Sequence, residues 1–173
     1  IEGFQLDTTQ NGSGVAINVG TNIRRVYIRN NRIEQFNKGI QLSGAYSSDI
    51  SFNEIRDNVT GIEIQSKCHA LLGDVYYETN TIADVKLVNC YAPKIFSGDS
   101  SSLVSEASIV YDDCSGNCRI QGMTYAASTN STPFHIKVTG VNGNTVIEDL
   151  TPAAGMTNPI DTSTATNAKN VSI

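Results

Sequence analysis

Apolar and polar residues alternate in short runs along most of this chain: Val26 and Ile28, Ile50 and Phe52, Ile62 and Ile64, Val75 and Tyr77, Val85 and Leu87. A two-residue period marks a strand with one buried face. No 3.6-residue period is sustained, so helices are not expected. Gly, Asn, Asp and Ser, the residues of turns, separate the runs. One phrase returns at Gly14–Ile17, Gly39–Leu42, Gly61–Ile64 and Asp84–Leu87, at intervals of 25, 22 and 23 residues. The middle copies match further, since Asn31–Leu42 aligns without gaps on Asn53–Ile64. Self-similarity at such a period is the sign of a solenoid. A dense leucine consensus and helical periodicity are both missing, which leaves stacked strands. Units too thin to fold alone bury one continuous core when stacked, so the expected fold is all-β, a parallel β-helix in which each phrase is the same strand of successive turns.

That frame makes positional predictions. Ile40, Ile62 and Val85 should stack inward in one column, and Leu42, Ile64 and Leu87 in another. The glycine opening the phrase is expected at a corner with positive φ, which Asp84 tolerates in the fourth copy. Asn31 and Asn53 should form a side-chain ladder, and Cys68 and Cys90 should lie one coil apart. Residues 1–99 are read as the coils. After Asp99 the phrase fades, and 100–150 is read as irregular terminal coils or a β cap, with Asn142-Gly143 as a hairpin signal. Residues 151–173, rich in Thr, Ala and Asn, read as an extended tail.

Composition narrows the function classes. The 173 residues suit one domain. No apolar run reaches the length of a membrane span, so no membrane partner is expected. The first ten residues lack a secretory pattern and begin inside a β-like run, which reads as a fragment or a processed product. A net charge of -5 argues against nucleic acid. Cys114 and Cys118 with His135 make only three ligands, so the four cysteines read as small buried thiols, with a Cys114–Cys118 disulfide left open. No metal or cofactor is expected. His69 and His135 have no nucleophile partner and read as structural or surface residues.

Aligning Val26/Ile28, Ile50/Phe52 and Val75/Tyr77 as inward pairs gives outward columns Arg25–Asp49–Asp74, Tyr27–Ser51–Tyr76 and Arg29–Asn53–Glu78. Alignment on Asn31 and Asn53 instead shifts this strand by two residues. Aromatic rings cover the apolar face of a sugar, while carboxylates and amides take its hydroxyls. Tyr27, Arg29 and Tyr76 are therefore candidate glycan contacts. Glycoside hydrolysis needs two carboxyls, about 5 Å apart for retention and roughly 6.5–9.5 Å for inversion. Asp49 and Asp74 are the candidate pair, with Glu78 beside them as a third candidate catalytic carboxylate. The plainer alternative is a solvated face carrying an Arg25–Asp49 pair. On the phrase strand the outward column is Ala16–Gln41–Glu63–Lys86, where Glu63 is either a glycan contact or the partner of Lys86.

The stacked phrases, the stretch Gly73–Leu87 (GDVYYETNTIADVKL) and the Asn/Gly corners resemble the right-handed parallel β-helix of the pectate-lyase-like superfamily, and within it bacteriophage tailspike and appendage proteins. The resemblance covers residues 14 to about 99. It implies a homotrimer on the virion tail, outside the cell, that binds and often cleaves bacterial surface polysaccharide, with a C-terminal β-rich cap or trimerisation region. No Ca²⁺-binding Asp cluster and no Arg in a lyase setting match the lyase branch. A non-catalytic structural or adhesin module and a free polysaccharide lyase or epimerase are the alternative readings.

Overall fold

Short alternating runs can satisfy their backbone groups only by pairing with the next turn of chain, and every strand in this computed structural model does so. The structure describes residues 1–8, 12–66, 68–102, 104–126, 134–140, 144–154, 159–165 and 171–172. The first coil contributes β1 (Gln5–Asp7), β2 (Ser13–Val19) and β3 (Arg24–Arg29). The second contributes β4 (Arg32–Glu34), β5 (Phe36–Ser43) and β6 (Tyr46–Ser51), and the third begins with β7 (Glu54–Arg56) and β8 (Thr60–Gln65). From there β9 (Ala70–Glu78), β11 (Lys94–Ser101) and β13 (Asn117–Tyr125) run continuously across the coil boundary, alternating with β10 (Ala83–Val88) and β12 (Ile109–Asp112) of the other sheet. The stack continues through β14 (Ile136–Gly140), β15 (Asn144–Glu148), β16 (Ile160–Ala165) and β17 (Val171–Ser172).

All pairings between these strands are parallel. One sheet orders β2-β5-β8-β10-β12-β14-β16 and the other runs from β1 to β17 with β3 and β6 joined to it through β9. The result is a parallel β-solenoid of about six turns, with no helix among the described residues. Its core lies between the sheets. The predicted columns are present: Ile40 pairs with Ile62 and Ile62 with Val85, while Leu42, Ile64 and Leu87 follow two positions on. All six are fully buried, each worth roughly 1.5–3 kcal/mol.

The register corrects several expectations. Ile17, not Val15, stands beside Ile40, so Asn18 rather than Ala16 precedes Gln41, Glu63 and Lys86 in the outward column. Gly39 and Gly61 are absent from the positive-φ residues. Their need is space: a Cβ on Gly39 would sit 2.6 Å from the Gly61 oxygen, and one on Gly61 2.6 Å from the Asp84 oxygen. Parallel pairing also runs on past residue 99. Asn142-Gly143 lies outside the described residues, and the strands flanking it, β14 and β15, belong to different sheets, so they are not a hairpin.

The corners explain how the coil turns. Asn31 donates from both its backbone and side-chain nitrogens to Asn53 Oδ1 at 3.0 Å, the predicted ladder. A second ladder at another corner runs from Phe36 N to Asn58 Oδ1, from Asn58 N to Asn80 Oδ1 and from Asn80 N to Ser102 Oγ. These amides satisfy backbone groups that a tight bend would strand. All four cysteines are buried thiols outside any disulfide. Cys68 accepts a bond from Ala45 N, and Cys90 and Cys114 donate to carbonyls of the preceding coil.

Candidate functional site

In the larger sheet, a residue in the left-handed conformation interrupts each outer strand pair: Asn30, Phe52, Asp74, Ser97, Gly122 and Asp149. In the first two coils the break separates β3 from β4 and β6 from β7. In β9, β11 and β13 it is a bulge that leaves the strand continuous. Such a residue turns the strand and reverses which side chains face out. A ridge therefore divides the outer surface into two facets.

On the facet before the ridge, one outward column reads Tyr27, Asp49, Leu71, Lys94, Arg119. The next reads Arg29, Ser51, Gly73, Phe96, Gln121, Glu148. Inward residues Ile28, Ile50, Leu72, Ile95 and Ile120 hold these strands against the core. Gly73 leaves a dip in the second column: a Cβ there would meet the Phe96 oxygen at 3.7 Å, an ordinary contact, so nothing forbids a side chain and its absence lowers the surface. A groove of about 580 Å³ is lined by Tyr27, Asp49, His69, Leu71, Lys94 and Phe96 among others. An adjoining hollow of about 310 Å³ shares Asp49, Leu71 and Phe96 and adds Arg29, Phe52 and Asp74.

The floor is apolar and its borders are charged. Arg29 forms an ion pair with Asp49 and lies 5.2 Å from the Tyr27 ring centre. The bond to Asp49 raises the Arg29 pKa above its ordinary value. Ser51 Oγ donates to Asp49 Oδ1 at 2.9 Å, so this carboxylate is engaged from two sides. Arg119 lies 5.8 Å over Phe96 and pairs with Glu148. His69 packs against Tyr91 with ring centres 4.9 Å apart. Lys94 is exposed and makes no ion pair among the described residues. The arrangement can take a flat apolar surface on its floor and hydrogen-bonding or anionic groups at its rim.

Of the residues singled out from sequence, Tyr27, Arg29, Asp49 and Asp74 border this groove and hollow. The expected column Arg25–Asp49–Asp74 does not form, because Asp49 stands between Tyr27 and Leu71 while Asp74 sits on the ridge between Phe52 and Ser97. Phe52 is not inward but exposed. Tyr76 and Glu78 lie past the ridge on the second facet. Tyr76 stands between Glu54 and Asp99, and Glu78 pairs with Arg56 at 3.2 Å. Glu63 is on the other sheet, held by Lys38 Nζ at 2.7 Å and Gln41 Nε2 at 3.2 Å rather than by Lys86, which pairs with Glu106. Leu71, Lys94 and Phe96 were missed. Their alternation with the buried Ala70, Leu72 and Ile95 was readable, but only once the coils were aligned past the bulge. Among the described residues, no group of three or more His, Cys, Asp or Glu could hold a metal ion.

Compared with protein-family models, curated proteins and solved structures, the chain shows no match.

Proposed function

We propose that this chain is a polysaccharide-binding β-helix module, and that the groove over Tyr27, Leu71 and Phe96 receives a bacterial surface glycan as the coils of a tailspike do. One observation carries the reading. Tyr27, Asp49, Leu71 and Lys94 come from four successive coils, so the groove follows the stacking axis for about 14 Å at the usual strand spacing. A polymer of ring-shaped units with apolar faces and hydroxyl edges suits such a strip better than a compact ligand does. Lys94, which makes no ion pair among the described residues, adds a complement for an acidic substituent, while the net charge of -5 disfavours nucleic acid.

A glycan array of bacterial surface polysaccharides tests the reading directly. Tyr27→Ala should weaken binding of the captured polysaccharide about fivefold or more, the loss of an aromatic platform being worth roughly 1 kcal/mol. Tyr76→Ala, past the ridge, should leave it within twofold. Equal losses in both variants, or no loss in either, would remove this groove from recognition. Hydrolysis enters only through Asp49 and Asp74, which border one hollow, and release of reducing ends from the bound polysaccharide is its readout. The resemblance extends the reading to a homotrimer on the virion, outside the cell. Sedimentation equilibrium measures that part independently of any ligand.

A further inference from the structure

The ridge holds one residue that its conformation does not favour. Asn30, Phe52, Asp74, Ser97, Gly122 and Asp149 share φ values of 56°, 55°, 50°, 52°, 71° and 53° and occupy equivalent positions on successive coils. The left-handed region presses Cβ against the following carbonyl, and Asn, Asp and Gly are the residues that visit it most readily. Five of the six positions carry one of these or the small Ser97. Phe52 alone carries a bulky ring.

Burial does not account for the exception. Phe52 is 57% exposed, and it makes no ring stacking or cation–π contact among the described residues. The backbone around it is fixed by other groups. Phe52 N bonds to Gly73 O at 3.0 Å, and Asn53 Nδ2 donates to Ile28 O and Ser51 O at 2.9 and 3.0 Å. The fold thus imposes the conformation and would be served better by Asn, the residue one coil earlier. The Phe52 ring instead borders the hollow that contains Leu71, Phe96 and the dip at Gly73.

We propose that Phe52 is a ligand-binding residue, an aromatic platform at the rim of the groove that takes the uncharged C–H face of one pyranose unit. The assignment rests on the glycan reading of the groove and deepens it: the bound unit must present an unsubstituted apolar ring face at the ridge. Backbone strain kept at an exposed aromatic beside a groove is the pattern expected where a conformation is retained for binding.

Stability and affinity separate the possibilities. Phe52→Asn should melt at a higher temperature than the parent, because it relieves the left-handed residue. It should also bind the polysaccharide captured on the array at least fivefold more weakly. Phe52→Tyr should bind within twofold of the parent. A Phe52→Asn variant that is more stable and binds equally well would overturn the platform. One that melts lower would remove the strain premise and overturn it too. If the parent chain captures no polysaccharide at all, the glycan reading itself fails and takes this assignment with it, an outcome distinct from equal binding by parent and variant.

Discussion

Asp84 and His135 follow Gly39 and Gly61 in a single corner column, with Ser108 between them. Two positions where a side chain has no room give way to three that carry polar groups into the interior. Asp84 is buried and accepts from Asn80 Nδ2 at 2.8 Å and Ser100 Oγ at 2.7 Å. Burial pushes its carboxyl pKa up, and these bonds only partly oppose it. The folded state therefore holds this proton more tightly than the unfolded chain does. The contribution is favourable at low pH and is lost as pH rises from the ordinary carboxyl value through the raised one. His135 stacks on Tyr125 at 3.9 Å, and its Nε2 accepts a bond from Ala153 N. Burial lowers its pKa from 6.5 to about 4. Its contribution is complete above the ordinary histidine value and is lost as pH falls towards 4, by on the order of 3 kcal/mol. Urea unfolding at several pH values should show two separable effects. Asp84→Asn should gain stability over the parent at pH 7, and His135→Gln should flatten the loss between pH 6.5 and 4. A loss across that acid range that is as steep in His135→Gln as in the parent would contradict the buried neutral imidazole.

At the level of elements, the ladders do more for the coil than any one strand. Asn53 accepts twice from Asn31 and donates to two carbonyls, all at a buried position. Asn53→Ala leaves those partners unsatisfied inside the fold and should cost about 2 kcal/mol or more, read as a lower urea midpoint with an unchanged slope. A loss below about 0.5 kcal/mol would show that water replaces the amide without penalty. The strands themselves were legible where alternation ran unbroken. The phrase columns and the Asn31–Asn53 ladder follow from sequence because the offset is 22 residues between the middle copies and 23 to the fourth. Legibility failed at the left-handed residues. Ile50-Ser51-Phe52 reads as in, out, in, but a turn at Phe52 reverses the order after Ser51. Every outward column inferred across that point was misplaced, and Tyr76 and Glu78 were assigned to the wrong facet. The positive φ expected at the phrase glycines holds at Gly14, with φ 67°, but not at Gly39 and Gly61, since close approach of a neighbouring coil leaves no mark in one sequence that distinguishes it from a positive φ.

For the whole molecule, the two facets have different electrostatic characters. Past the ridge, Arg56 alone meets carboxylates of Glu34, Glu54, Asp57 and Glu78, while Arg32 joins Glu34 and Glu54. Two guanidiniums are shared among four carboxylates, so this facet is paired along the stack yet net negative. Before the ridge, Arg29 pairs with Asp49 and Arg119 with Glu148, while Lys94 makes no ion pair among the described residues. The candidate site was visible in the sequence as residue types rather than as a place: Tyr27, Arg29, Asp49 and Asp74 were recognised, but the dip at Gly73 and the Phe96 wall appear only when four coils are laid side by side.

The ladders also set a quantum of length. Asn31 to Asn53 and Asn58 to Asn80 are each separated by 22 residues, and the bonds between them repeat atom for atom. A segment of that size excised or duplicated between two rungs rejoins the chain at a matching corner, with its hydrogen-bonding partners in place. Mutation can thus lengthen the rod in whole steps of about 4.8 Å without redesigning any turn. Each added step extends the groove by one more coil, so on the proposed polysaccharide reading the footprint can grow by copying sequence instead of inventing it.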